Sequence, residues 1–107
     1  MANLIITSTA EIPDKKIVKL LGVVRGNTVR SRNIGRDIGA GFKSIVGGEI
    51  SSYTELLSQA REEAFNRMVN HAIDLGADAV VNVRFMTSSI MAGTSELLAY
   101  GTAVKLK

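Results

Sequence analysis

The sequence has 107 residues, the size of one domain, and its 46% hydrophobic and 21% charged composition is typical of a folded globular chain. It contains no cysteine, which excludes disulfides, thiolate metal sites and cysteine nucleophiles and makes the cytoplasm the expected location. The formal net charge of +3 is modest, and no apolar run approaches the ~20 residues of a membrane span. We expect one domain over residues 1–107.

The N-terminal residues, MANLIITSTAEIP, predict a first strand rather than a signal peptide, because the apolar run is short and has no basic leader. Residues 16–30, KIVKLLGVVRGNTVR, predict a long, bent strand that is rich in β-branched side chains and contains two glycines. Apolar side chains occupy both alternating sets of positions in this strand. Something must therefore cover each of its faces.

Residues 29–49, VRSRNIGRDIGAGFKSIVGGE, hold five of the ten glycines among basic side chains. A phosphate-binding P-loop is excluded, because Phe42 separates Gly41 from Lys43 and the position five before Gly41 is Arg36. The dinucleotide fingerprint also fails, since GAG at 39–41 lacks its third glycine. Apolar residues at helical spacing predict instead a short Gly-rich helix, in which Gly35 and Gly39 allow close approach of another backbone.

The segment 25–43 carries five basic residues against one acidic residue. This leaves a weak nucleic-acid binder as one alternative, although Phe42 is the one aromatic residue in the segment and no known binding motif is present. A small anion is the other candidate ligand of this basic rim. Its candidate contacts are Arg30, Arg32, Arg36 and Lys43.

SYTE at 52–55 predicts a capping box that starts a long helix at Ser52, with Glu55 three residues later. An apolar stripe at helical spacing follows, and Gly76 is expected to end the helix in the left-handed cap position. The single histidine, His71, falls on this stripe, where hydrogen-bonded packing is the favoured interpretation.

Two strands are predicted after the helix. In ADAVVNVRFMTSS, Val81, Val83 and Phe85 share one face, and Asn82 and Arg84 share the other. In ELLAYGTAVKLK, alternate residues from Leu98 to Leu106 form one face, and the two strands can pair antiparallel. The order of elements predicts an α+β fold, an antiparallel sheet covered by one long helix plus the short Gly-rich helix.

The stretch GGEISSYTELLSQAREEAFNRMVNHAIDLGADAVVNVRF, followed by AYGTAVKL, resembles the YbjQ-like family of small bacterial and archaeal proteins of uncharacterised function. The resemblance spans nearly the whole chain. It implies a subunit similar in fold to dodecin that assembles into a homo-oligomeric ring, a pentamer. The family is commonly described as binding heavy metals. With no cysteine and one histidine here, such a site would need one side chain from each subunit around a symmetry axis.

Two arginines stand out among apolar residues. Arg61 projects into the helical stripe, so its guanidinium must reach carbonyls, a bound anion or a carboxylate, for which Asp37 and Glu49 are the candidate partners. Arg84 is the second candidate contact for a ligand. We therefore expect a non-enzymatic homo-oligomer that binds a small ligand or anion at subunit interfaces, with no cofactor, catalytic residue or metal ligand assigned. A metal site built by symmetry is the alternative.

Overall fold

The computed structural model describes residues 4–31 and 48–107, with the side chains of 48–53 left out. The elements are β1 (Ile5–Ile6), β2 (Ile17–Ser31), α1 (Gly48–Asp74), β3 (Ala79–Met91) and β4 (Thr94–Leu106). The four strands form one sheet in the order β1-β3-β4-β2. The predicted α+β class is confirmed. The predicted short helix, with its glycines Gly35 and Gly39, lies outside the described residues.

The sheet is mixed, so the prediction of an antiparallel sheet is wrong for one strand pair. β3 and β2 both pair antiparallel with β4, but β1 pairs parallel with β3, joining Ile5 to Ala79 and Ile6 to Val80. The connection from β1 to β3 runs through β2 and α1, which makes a parallel crossover possible. Nothing in the short N-terminal apolar run specifies the direction of its partner.

α1 begins at Gly48, four residues before the predicted start at Ser52. Because Glu49, Ile50 and Ser51 are all compatible with helical backbone, a capping-box pattern at Ser52 does not prevent the helix from starting earlier. The predicted end is confirmed, with Gly76 at φ +78°. There the amide of Gly76 donates to the carbonyl of Ile73 (2.9 Å) and the amide of Ala77 to that of Ala72 (3.1 Å), which is a Schellman cap.

β3 contains a bulge that reverses the alternation of its side chains. Val81 pairs with Thr102 but Arg84 pairs with Tyr100, and Asn82 has a left-handed φ of +55°. Val83 consequently packs in the core beneath α1, while Val81 packs on the opposite side of the sheet. The prediction that these two valines share a face is therefore wrong, because simple alternation cannot anticipate an inserted residue.

The core is divided between the two faces of the sheet. Val24, Val80, Ala99 and Ala103 pack with Met68 and other residues of α1, which lies mainly over β2 and β4. On the opposite face, a smaller cluster is covered by the chain's own N-terminal segment, and it contains Ala79, Val81 and Val104 with Ile5, Ile12, Ile17 and Leu106 packed against it.

The rest of that opposite face has no cover from the described residues, and we call it the open face. It comprises Val23, Arg25, Asn27, Val29, Arg84, Met86, Leu98 and Tyr100. Val23 is 64% exposed and Met86 is 51% exposed. The radius of gyration is 17.6 Å, against about 13 Å for a compact domain of this length, so the fold is extended rather than globular.

Candidate functional site

A row of three polar side chains crosses the open face from one strand to the next. Register pairs Arg25 of β2 with Tyr100 of β4, and Tyr100 with Arg84 of β3. Their chain neighbours Val24, Ala99 and Val83 belong to the core under α1, so all three members of the row project from the other face. Directly paired residues have Cβ atoms about 5 Å apart, which places one arginine on each side of the tyrosine ring.

The arginine at the β3 end is held in place by backbone. Arg84 Nη1 donates to the carbonyl oxygens of Ser8 (2.9 Å) and Val83 (3.0 Å). A guanidinium has five N–H donors in a planar fork, so donors remain for a ligand. Arg84 is exposed, and these two bonds fix the position of its guanidinium group without using all of its N–H donors.

The other end of the row lies on the outer edge of the sheet. The backbone amide of Arg25 donates to Nδ1 of His71 (3.3 Å), which joins β2 to α1 and leaves the Arg25 side chain exposed. Next to the row, Asn27 Nδ2 donates to Glu96 Oε2 (3.1 Å). The carboxylate of Glu96 is therefore engaged by an amide, and neither guanidinium of the row has a carboxylate partner among the described residues.

Two guanidiniums and a phenol hydroxyl form a donor set that suits an anion with several oxygens. Arginine binds carboxylate and phosphate through paired N–H donors, and it stays charged at all physiological pH values. The row supplies hydrogen-bond donors and positive charge, which suit the binding and orientation of an anion.

Arg30, the first predicted contact, lies on the face of β2 that packs against α1. Its Nη2 atom forms an ion pair with Glu63 Oε1, and Arg67 Nη2 donates to the second oxygen of the same carboxylate at 3.1 Å. The hydrogen bond from Arg30, with the charges of Arg30 and Arg67, lowers the pKa of Glu63 despite the opposing effect of desolvation. Arg67 also donates to the carbonyl of Asn27 (2.6 Å). In this structure Arg30 therefore fastens α1 to the edge strand.

The remaining predicted contacts are separated. Arg61 is exposed on α1 and not buried in the apolar stripe, and it lines a cleft on the helix side of the sheet. Arg84 lies on the other side, so one chain does not bring these two arginines together. Predicted residues outside the description are Arg32, Arg36, Asp37 and Lys43, together with the side chain of Glu49.

Sequence reasoning missed Arg25 and Tyr100 as members of a site. Each was placed correctly along its strand, but no pattern in the chain shows that two arginines 59 positions apart flank one tyrosine. The useful signal was the alternation of side chains along each strand, which puts Arg25 on one face with Val23 and Tyr100 on one face with Leu98. Only the register between the strands brings these residues into a row.

The fold and the site define a small α+β protein with a mixed sheet, one bare sheet face and a cationic row on that face. α1 is not apolar enough over any 18-residue window to cross a membrane, and it is the one helix among the described residues. A family model described as "Putative heavy-metal-binding" matches residues 4–107. The chain belongs to this YbjQ-like family, whose members are also named UPF0145 proteins.

Similar proteins agree with this assignment. A UPF0145 protein of Methanoculleus marisnigri is 64% identical over 103 residues, covering 96% of both chains. One from Archaeoglobus fulgidus is 62% identical over 105 residues, covering 98% of this chain and 97% of that one. A crystal structure of a protein of unknown function from Pediococcus pentosaceus, of the DUF74 family, matches 97% of this chain with a TM-score of 0.68. At 16% identity that likeness supports the fold.

The family's metal description does not fit the donors in the described part of this chain. The sequence has no cysteine, and among the described residues no three His, Cys, Asp or Glu side chains cluster as metal ligands would. His71 Nδ1 accepts the Arg25 amide, and Met68 is fully buried in the core. Met86 and Met91 are exposed on β3, but thioethers without thiolates form a poor site for most heavy metals.

Proposed function

We propose that this chain is a non-catalytic subunit of a homo-oligomeric ring, and that it holds a small anion at the boundary between subunits. The ring of five and the dodecin-like subunit follow from the family resemblance. The observation that carries the proposal is the open face, where exposed apolar side chains surround the Arg25–Tyr100–Arg84 row. The cytoplasmic location expected from the cysteine-free sequence stays a prediction.

The apolar part of the open face supports assembly. Val23 and Val29 on β2 and Met86 on β3 are each at least half exposed, and Leu98 lies between them on β4. Burying apolar surface contributes about 25 cal/mol per Å², so covering these exposed side chains favours association. We propose that a second copy of the chain covers the open face. The subunit is extended and has apolar side chains on both faces of its sheet, so copies that pack against one another would form a compact assembly.

The proposed anion binds at the row formed by Arg25, Tyr100 and Arg84. Covering the open face removes water from the Arg25 and Arg84 side chains, and an uncompensated buried charge costs several kcal/mol. Glu96 is engaged by Asn27 and lies outside the row. An oxyanion bound between the two guanidiniums would balance this charge. Phosphate, sulfate and small dicarboxylates share the required chemistry.

Light scattering and thermal unfolding together test the proposal. The wild-type protein should be a single oligomer at micromolar concentration, and phosphate should raise its Tm relative to chloride at equal ionic strength. A ligand at ten times its Kd contributes about 1.4 kcal/mol to stability. Parallel titrations with dicarboxylates and with zinc show whether an anion or a metal raises the Tm.

Arg25→Gln and Arg84→Gln should each abolish the phosphate shift, and Tyr100→Phe should reduce it. Arg61→Gln is the matched control, because Arg61 is an exposed arginine on the other side of the sheet. A monomer at all concentrations contradicts the assembly. An oligomer whose Tm responds to phosphate equally in all four variants contradicts the anion site.

A further inference from the structure

A cleft of about 340 Å³ lies between the first half of α1 and β3, on the side of the sheet away from the open face. Ser58, Arg61, Glu62 and Phe65 line it from the helix, and Phe85 lines it from the strand. Its volume is near the lower end of the range for small-molecule sites. One chain supplies all five lining residues, and the cleft lies on the other side of the sheet from the anion row.

Two phenylalanine rings form the apolar wall of this cleft. The centroids of Phe65 and Phe85 are 6.3 Å apart, and the ring planes differ by 17°. Phe85 is 48% exposed although it pairs with Ala99 at the border of the core. A nearly parallel aromatic pair with one ring half exposed presents a flat apolar surface, on which another ring or a branched aliphatic group can stack.

The polar wall carries one charge of each sign. Arg61 and Glu62 are consecutive on α1, and both are exposed. Within the described part of the chain neither side chain forms an ion pair or hydrogen bond, whereas neighbouring Glu63 is engaged by two arginines. Ser58 lies one turn before this pair, so its hydroxyl is within reach of a group bound by Arg61.

We propose that the cleft binds a free α-amino acid with a large apolar side chain. Arg61, assisted by the Ser58 hydroxyl, binds the carboxylate, and Glu62 binds the ammonium group. The side chain lies against Phe65 and Phe85. A zwitterion matches this wall better than an anion does, because Glu62 repels a ligand that has a carboxylate and no cation.

L-Tryptophan is the probe of choice, because the protein contains no tryptophan and the fluorescence of the ligand can be followed directly. We expect saturable binding of L-tryptophan and competition by L-phenylalanine and L-leucine but not by L-alanine. 3-Phenylpropionate lacks the ammonium group and phenethylamine lacks the carboxylate, so each should compete at least tenfold more weakly than L-phenylalanine.

Variants identify the contacts. Arg61→Gln should weaken the binding of L-tryptophan at least tenfold without weakening that of phenethylamine, whose ammonium group Arg61 repels. Glu62→Gln should likewise weaken the binding of L-tryptophan at least tenfold without weakening that of 3-phenylpropionate, whose carboxylate Glu62 repels. Phe85→Ala should weaken the binding of all apolar amino acids. Lys19→Gln, a control at an exposed lysine of β2 outside both proposed sites, should bind as wild type. Absence of saturation up to 10 mM, or equal binding by all four variants of unchanged Tm, would overturn the proposal.

Discussion

Gly26 of β2 lies directly against the backbone of α1 at Ala64. A Cβ atom on Gly26 would be 2.6 Å from Arg67 Cβ and closer still to the Ala64 carbonyl oxygen and the Met68 amide nitrogen. The helix therefore rests on the strand with no side chain between them. The close approach predicted at Gly35 and Gly39 lies outside the described residues and stays a prediction, and Gly26 shows such an approach at a strand position.

Gly26→Ala should destabilise the protein strongly. The contacts are with rigid backbone and a helical Cβ, so the helix must move away from β2. We expect the free energy of unfolding to fall by about 3 kcal/mol, which is the upper end of the range for overpacked cores. Urea unfolding measures it, with Lys19→Ala on the exposed side of the same strand as the control. A loss below about 1 kcal/mol would contradict the close contact.

Thr28→Val should cost less and act through a hydrogen bond. Thr28 is 2% exposed, and its hydroxyl donates to the carbonyl of Ala60 (3.0 Å). Valine keeps the volume, and the carbonyl keeps its helical partner, so no buried acceptor is left unsatisfied. The expected loss in the free energy of unfolding is about 1 kcal/mol. Thr28→Ser retains the bond and serves as the comparison; equal stability of the valine variant and wild type would refute the contribution.

Val23→Glu should disrupt assembly without unfolding the subunit. Val23 is 64% exposed, so the substitution costs the isolated chain little, but it places a charge in the proposed interface. Sedimentation should show at least a tenfold weaker association. Ile73→Glu, at a 45% exposed position on α1, is the chemically matched control and should assemble normally. Equal dissociation of both variants would mean that the open face has no special part in assembly.

Low pH should destabilise the folded protein by protonating Asp78, which follows the helix cap. Its Oδ2 atom accepts the Leu106 amide (2.9 Å) and Oδ1 accepts Lys105 Nζ (3.2 Å). These bonds, the backbone bond first, lower the pKa of Asp78 below its ordinary value of 3.8. A lowered folded-state pKa contributes stability above pH 3.8 that is lost as the pH falls through the folded value.

Thermal unfolding between pH 6 and pH 2.5 measures this loss. Asp78→Asn should show a smaller fall in Tm below about pH 4 than wild type. Lys105→Met should keep most of the wild-type fall, because the Leu106 amide remains. If the asparagine variant follows the wild-type curve throughout, the linkage to Asp78 is refuted.

Elements with a local physical cause were predictable from the sequence. β-branched runs placed β2 to within one residue at each end, and Gly76 ended α1 where predicted, because each signal lies within the residues that form the structure. The approximate extent of β3 and β4 followed from alternation, although β3 begins and ends two residues later than predicted and β4 begins two residues earlier. The start of α1 was not predictable, since several consecutive residues there are compatible with a helix.

The sequence by itself determined the α+β class, the main strands and helix, and the presence of apolar residues on both sides of β2. Tertiary structure alone decided that β1 runs parallel to β3, that a bulge at Asn82 separates Val81 from Val83, and that Arg25 and Arg84 flank Tyr100. Local preferences act over a few residues through backbone sterics and hydrogen bonds. The register of the strands, and the sheet face on which each side chain lies, depend instead on contacts between residues far apart in the chain. Those contacts form only when the strands pair.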